Sequence, residues 1–121
     1  MEKIETTREK VVNDIEAFYD PNVWRLITIN TLQIGDRLEA QWIFAKVGVL
    51  AKTRIVFAMF EMDESIPSIR DICPTAIFAE AEQLDLMGAR FEGAAEGQFL
   101  ERDAARMPLR KSTKETDDRN N

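Results

Sequence analysis

Arg37-Leu38-Glu39-Ala40-Gln41-Trp42-Ile43-Phe44-Ala45 alternates apolar and polar residues almost without a break. Leu38, Ala40, Trp42 and Phe44 share one side, and Arg37, Glu39 and Gln41 share the other, which is the period of a half-buried β-strand. Gly35-Asp36 precedes it and Val47-Gly48 follows it, both turn pairs. On the far side of the first turn, Val23 to Leu32 is rich in β-branched and aromatic residues and reads as a second strand. On the far side of the second, Lys52 to Glu61 sets Thr53, Ile55, Phe57 and Met59 against Lys52, Arg54 and Val56 and reads as a third. Connections this short favour antiparallel neighbours, because a parallel crossover needs about a dozen residues or more.

Helices are expected on both flanks of these strands. Ile4, Val11, Ile15 and Phe18 recur at steps of three, four or seven, so the spacing predicts an amphipathic helix over Glu2 to Tyr19, ended by Asp20-Pro21-Asn22. Met62 to Pro74 reads as a polar loop in which Ser68 is placed to cap a short turn with Asp71 three residues on. Pro74 suits the first position of a second helix, which runs to about Met87 and stops at Gly88. Ile77, Ala81, Leu84 and Gly88 form its apolar stripe, and Phe78, Glu82 and Asp85 the stripe beside it; Glu80 lies away from Glu82. Lys111 to Asn121 contains no apolar residue and by itself has nothing to fold around. The expected architecture is α+β: an N-terminal helix, a three- to four-stranded mainly antiparallel sheet, a second helix and an extended C-terminal arm. Residues 1–93 form the single domain and residues 94–121 the arm.

Composition narrows the chemistry. The 121 residues include no histidine and one cysteine, Cys73, so an iron–sulfur cluster or an internal disulfide has no ligand set here. No glycine-rich nucleotide motif occurs. The net charge of −6 argues against nucleic acid, and no apolar run reaches the roughly 20 residues of a membrane helix. With no signal peptide in view, a cytoplasmic location is expected. Charge is uneven: residues 21–60 carry a net +3 and residues 61–96 a net −7. That is the pattern of a solvated acidic face or of a surface for a basic partner. Trp24 and Trp42 are expected as core or interface anchors, and Cys73 as a small packed residue.

Acidic residues on α-helices usually need no special account, but Asp85 stands in the last turn, where the helix dipole opposes a negative charge. It is expected to accept hydrogen bonds from backbone amides or to pair with an arginine.

The segment Pro74-Thr75-Ala76-Ile77-Phe78-Ala79-Glu80-Ala81-Glu82-Gln83-Leu84-Asp85-Leu86-Met87-Gly88-Ala89-Arg90-Phe91-Glu92-Gly93 resembles the signature of the thirty-kilodalton (NuoC-type) subunit family of complex I and its hydrogenase relatives. The matching features are the proline, the aromatic, the two spaced glutamates, the aspartate, the glycine and Phe-x-Gly. Met107-Pro108-Leu109-Arg110-Lys111 resembles the family's Pro-Leu-Arg-Lys close. Ala81 stands where the family has arginine, Ala94 where it usually has histidine, and Phe78 where it has tryptophan. With the short chain, these departures point towards the Ech-type energy-converting hydrogenase members. The resemblance implies a non-catalytic subunit that binds no cofactor, in the peripheral arm of a membrane-bound nickel–iron hydrogenase on the cytoplasmic side of the membrane. The nickel–iron centre and iron–sulfur clusters would belong to its partners: a large catalytic subunit, a small iron–sulfur subunit and a ferredoxin-like cluster subunit. It also implies a subunit interface at Glu80, Glu82, Asp85, Gly88, Phe91, Gly93, Pro108, Leu109, Arg110 and Lys111. The alternatives are the corresponding subunit of a complex I-type quinone oxidoreductase or of formate hydrogenlyase, and a free-standing interaction module of similar fold. A small enzyme using Glu82 and Asp85 is a third class.

Overall fold

A computed structural model gives the structure of the protein and describes residues 1–93, with the backbone alone for residues 49–51. The expected arm, including Pro108, Leu109, Arg110 and Lys111, lies outside the described residues. Four strands and two helices follow in the order β1 (Glu2–Glu5), α1 (Val11–Phe18), β2 (Trp24–Ile34), β3 (Arg37–Lys46), β4 (Val49–Glu61) and α2 (Ala76–Met87). The strands form one sheet in the order β1-β4-β3-β2. β2, β3 and β4 are antiparallel neighbours, as the short turns require. Gly35 and Gly48 turn the two hairpins with φ of 63° and 82°, a backbone shape costly for residues with a Cβ.

The N-terminus differs from the sequence reading. Helix is confined to Val11–Phe18, and Glu2–Glu5 is a strand paired parallel to β4, with Ile4 opposite Val56. The step of seven from Ile4 to Val11 fits a helix but does not require one. β4 would otherwise present an open row of backbone donors and acceptors, and β1 fills part of it. Thr6 continues the pairing by donating its N–H to Phe57 O at 2.8 Å, and its hydroxyl donates to Asp14 Oδ2 at 2.6 Å, fixing the turn into α1.

One face of the sheet carries the core. Ile29, Leu38, Ala40, Trp42, Phe44, Val56, Ala58 and Phe60 are buried there. Val11 and Ile15 of α1 pack over this face with Ile66 and Ile69 from the loop, Ala76 and Met87 from α2, and Phe91 from the segment after it. In β4 the buried set is Val56, Ala58 and Phe60, while Ile55, Phe57 and Met59 point the other way and are only half-buried. The apolar alternation there marked both faces, and the register with Trp42 and Ala40 decides which one is inside.

Two edge devices complete the fold. α2 packs on β2, and Gln83 Oε1 accepts from the Thr31 N–H at 3.0 Å and from its hydroxyl at 2.6 Å. A side chain thus satisfies an edge-strand amide that no strand reaches. At the opposite end of the core, the Arg54 guanidinium lies 4.6 Å from the ring centres of both Phe18 and Trp24 and donates to Glu2 Oε1 at 2.8 Å. Phe18 in turn meets Trp24 and Phe44 edge-on, at 5.5 and 5.2 Å.

Tyr19, the chain's single tyrosine, packs against Phe44 with ring centres 5.7 Å apart. Burial, and after it the neighbouring Cys73 thiol, push its phenol up to about 12 from the usual 10.0. Titration of phenolate absorbance is expected to give a midpoint near 12 in the folded chain and the ordinary value in denaturant. The folded-state value is the raised one, so this contribution to stability is whole below the unfolded value and is lost as pH rises through the folded one. In a second test, Trp42→Ala is expected to lower stability by about 3–5 kcal/mol in urea melts, because Trp42 is fully buried at the centre of the sheet.

Candidate functional site: helix α2 and the loop beneath it

α2 ends as its sequence requires. Gly88 adopts φ 72°, its N–H donates to Leu84 O at 2.9 Å, and the Ala89 N–H reaches back to Gln83 O at 3.3 Å. The reversal turns Ala89 and Phe91 into the core, where Phe91 stands beside Ile66 in a parallel bridge.

The three carboxylates of α2 have three different environments. Glu82 is exposed on the outer side of the helix. Glu80 is 0% exposed. Its carboxylate accepts from the Ser68 hydroxyl, at 2.8 Å to Oε1 and 3.0 Å to Oε2, and from the Ile69 N–H at 3.0 Å. Arg70 Nη2 completes the set at 3.2 Å from Oε1. A buried carboxylate is tolerated when charge-assisted donors surround it in this way. Ser68 also accepts from the Arg70 N–H at 3.1 Å and from Nε at 3.0 Å. The turn foreseen at Ser68 therefore exists, but the acid it serves is Glu80, not Asp71. Glu80, expected at a subunit interface, is paired within the chain: rotation alone sets the apolar helix stripe, and the loop that encloses Glu80 arrives from 12 residues upstream.

Asp85 differs from both. It is 4% exposed, yet among the described residues it has no hydrogen-bond or ion-pair partner. Neither the backbone amides nor the arginine expected of it is supplied from within that part of the chain. Gly88 and Phe91 are internal and shape the turn, whereas Gly93 is exposed, with φ 80°. A Cβ at Gly93 would lie 3.3 Å from Arg70 Nη1, so its glycine serves the close approach of that guanidinium. Cys73 is buried, with Sγ 3.4 Å from Thr75 Oγ1. Phe78 projects outward, 62% exposed.

A cavity of about 220 Å3 is lined by Met1, Glu2, Trp24, Lys52 and Thr53, and no carboxylate of α2 reaches it. Among the described residues no cluster of His, Cys, Asp and Glu is placed to hold a metal ion. No helix there is long and apolar enough to cross a membrane. The residues that sequence reasoning missed are Arg70 and Arg8. Arg8 Nη2 donates to Glu92 Oε2 at 2.9 Å, and its Nε donates to Ser65 O at 2.9 Å. Both look like ordinary surface charges until the loop and the chain beyond α2 are brought together.

Comparison with known proteins gives matches of two kinds. A family model described as "Respiratory-chain NADH dehydrogenase, 30 Kd subunit" matches residues 4–119. Among solved structures, the chain superposes with TM-score 0.75 on a chain of the membrane-bound sulfane sulfur reductase (MBS), described as an archaeal respiratory membrane complex. Sequence identity there is 18%, over 91% of this chain and 71% of the other, and at that identity the likeness is one of fold. No curated protein matches the chain in sequence.

Glu80→Ala is expected to lower the stability of the chain by about 3 kcal/mol. That is the lower end of the range for a broken buried ion pair, because the Arg70 side chain keeps 25% of its surface in water. Glu82→Ala, two residues on and exposed, is expected to stay within about 0.5 kcal/mol of the parent. Urea unfolding of the two variants checks the contrast.

Proposed function

Because the chain belongs to the family of the 30 Kd subunit of respiratory-chain NADH dehydrogenase, we propose that it works as a peripheral subunit of a complex I-like respiratory membrane complex. Its contribution there is binding surface, not redox chemistry. With no histidine and one cysteine, the chain has no ligand set for a nickel–iron centre or an iron–sulfur cluster, so the electron-carrying groups fall to its neighbours. The likeness of fold to a chain of an archaeal respiratory membrane complex supports the same reading. Within this family the proposal is narrower: an energy-converting, membrane-bound nickel–iron hydrogenase on the cytoplasmic side of the membrane. Ala81 and Ala94, which replace the signature's arginine and histidine, favour that branch over a quinone oxidoreductase.

The observation that carries the docking role is Asp85. Asp85 is 4% exposed as a whole residue and has no partner among the described residues; its oxygens are not closed off in the way that Trp42 Nε1 is, but they stand in the last turn of a helix, where the dipole disfavours a negative charge. An arginine of the large catalytic subunit would relieve it, and Glu82, exposed one turn away on the adjacent surface, would add to the attraction for a basic partner. Glu80 has no part in this, since its pairing is internal. Gly93 marks the departure towards Pro108, Leu109, Arg110 and Lys111, which this reading places on the partner.

Asp85→Ala is expected to weaken assembly while leaving the free chain as stable as the parent or more so. The side chain has no described partner to lose within the chain, whereas cutting one half of a buried charge pair costs about 2–5 kcal/mol. Affinity purification of the tagged chain from cells that contain the complex checks both parts. The parent should bring down a large catalytic subunit, and the variant should recover much less of it. Equal recovery by the variant would rule out Asp85 as a docking residue. The metal centre of the recovered subunit tells hydrogenase from quinone oxidoreductase, and recovery of no redox subunit would overturn the proposal.

A further inference from the structure

Residues 90–93 are held more firmly than a surface segment requires. The carbonyl groups of Glu92 and Gly93 converge on one guanidinium. Arg70 Nη1 donates to Gly93 O at 2.9 Å and Nη2 to Glu92 O at 3.3 Å. The same side chain is oriented from behind by Glu80 and by the Ser68 hydroxyl. Arg8 grips from another side, with Nη2 donating to Glu92 Oε2 and to Ser65 Oγ, each at 2.9 Å. Between them runs a short backbone ladder: the Ile66 N–H donates to Arg90 O at 2.7 Å and the Glu92 N–H to Ile66 O at 2.8 Å. Gly93 keeps its left-handed φ of 80° directly against Arg70.

Exposed loop ends seldom gather this many charge-assisted bonds, and a guanidinium whose planar fork is used on several sides leaves little freedom to what it holds. We infer that Arg70 and Arg8 form a two-point clamp on residues 90–93, which fixes the path and direction of the backbone at Gly93. The buried carboxylate of Glu80 is the anchor of that clamp. Its consequence is preorganisation: a segment launched in one direction loses less freedom when it meets a partner than one that swivels about Gly93. This consequence rests on the reading above that residues 94–121 reach a partner subunit.

Amide hydrogen exchange on the full 121-residue chain tests the clamp. Arg70→Lys keeps the charge and loses the fork; Arg70→Met loses both. Exchange at the Ile66 and Glu92 amides is expected to quicken about tenfold in Arg70→Lys and more in Arg70→Met, with rates in the β3–β4 ladder unchanged. Unchanged rates at Ile66 and Glu92 would overturn the clamp. So would an equal acceleration in the β3–β4 ladder, which would mean general destabilisation. If Arg70→Met does not fold, Arg70→Lys and Arg8→Lys decide the matter by the same readout. Removing residues 94–121 and measuring recovery of the large subunit judges the underlying reading separately. Undiminished recovery would sink the partner role of that segment, while the exchange rates alone decide whether the clamp exists.

Discussion

A carboxylate with no surface in water must have its charge met from inside the protein, and Glu80 imposes that constraint on everything around it. Three kinds of donor converge on it: the hydroxyl of Ser68, the backbone N–H of Ile69 and the guanidinium of Arg70. Removing any of them would leave a buried charge short of partners, which is far less favourable than never having buried it. The loop after β4 therefore has one path open to it. That path seats Ile66 and Ile69 in the core, brings Ile66 beside Phe91, and directs Arg70 onto the carbonyls that follow.

The sheet supplies the platform for this arrangement and is treated differently on its two faces. Trp42, Phe44, Val56 and Phe60 face α1, α2 and the loop and are closed from water. The opposite face carries Ile43, Ile55, Phe57 and Met59 in adjacent register positions, only half-buried. The edges are handled with side chains as much as with strands. Gln83 covers the Thr31 amide on β2, and the short parallel β1 covers part of β4. α2 is thereby tied at three points, to the sheet edge by Gln83, to the loop by Glu80 and to the following chain by the Gly88 turn.

Within one helix, then, two acidic residues have opposite roles. Glu80 is fully paired and holds the domain together. Asp85 is nearly as enclosed and lacks any described partner. Sequence sets Asp85 apart by its place in the last turn, but nothing along the chain marks Glu80 as enclosed. A residue whose charge is satisfied at home contributes to the fold, whereas one whose charge is not satisfied is a place for another molecule's cation to settle. On the proposed reading, the domain is a rigid mount that offers such a place at one end of α2 and a fixed backbone direction at Gly93.

Much of the architecture was legible in local pattern. The alternation through Leu38, Ala40, Trp42 and Phe44, the turns at Gly35 and Gly48 and the helix stop at Gly88 are set by nearest-neighbour sterics and by which side chains avoid water, and both are written in consecutive residues. The signature at Pro74–Gly93 identified the family for the same reason: its order and spacing lie along the chain. What the sequence left open were pairings between distant segments. Ile4 fits a helix and a strand equally well, and only the unfilled edge of β4 makes it a strand. Ile55 and Val56 are both apolar, and only register against β3 sends Val56 inward. Glu80 looks like any surface glutamate until Ser68, Ile69 and Arg70 close over it, because the free energy of a charge depends on what surrounds it in space.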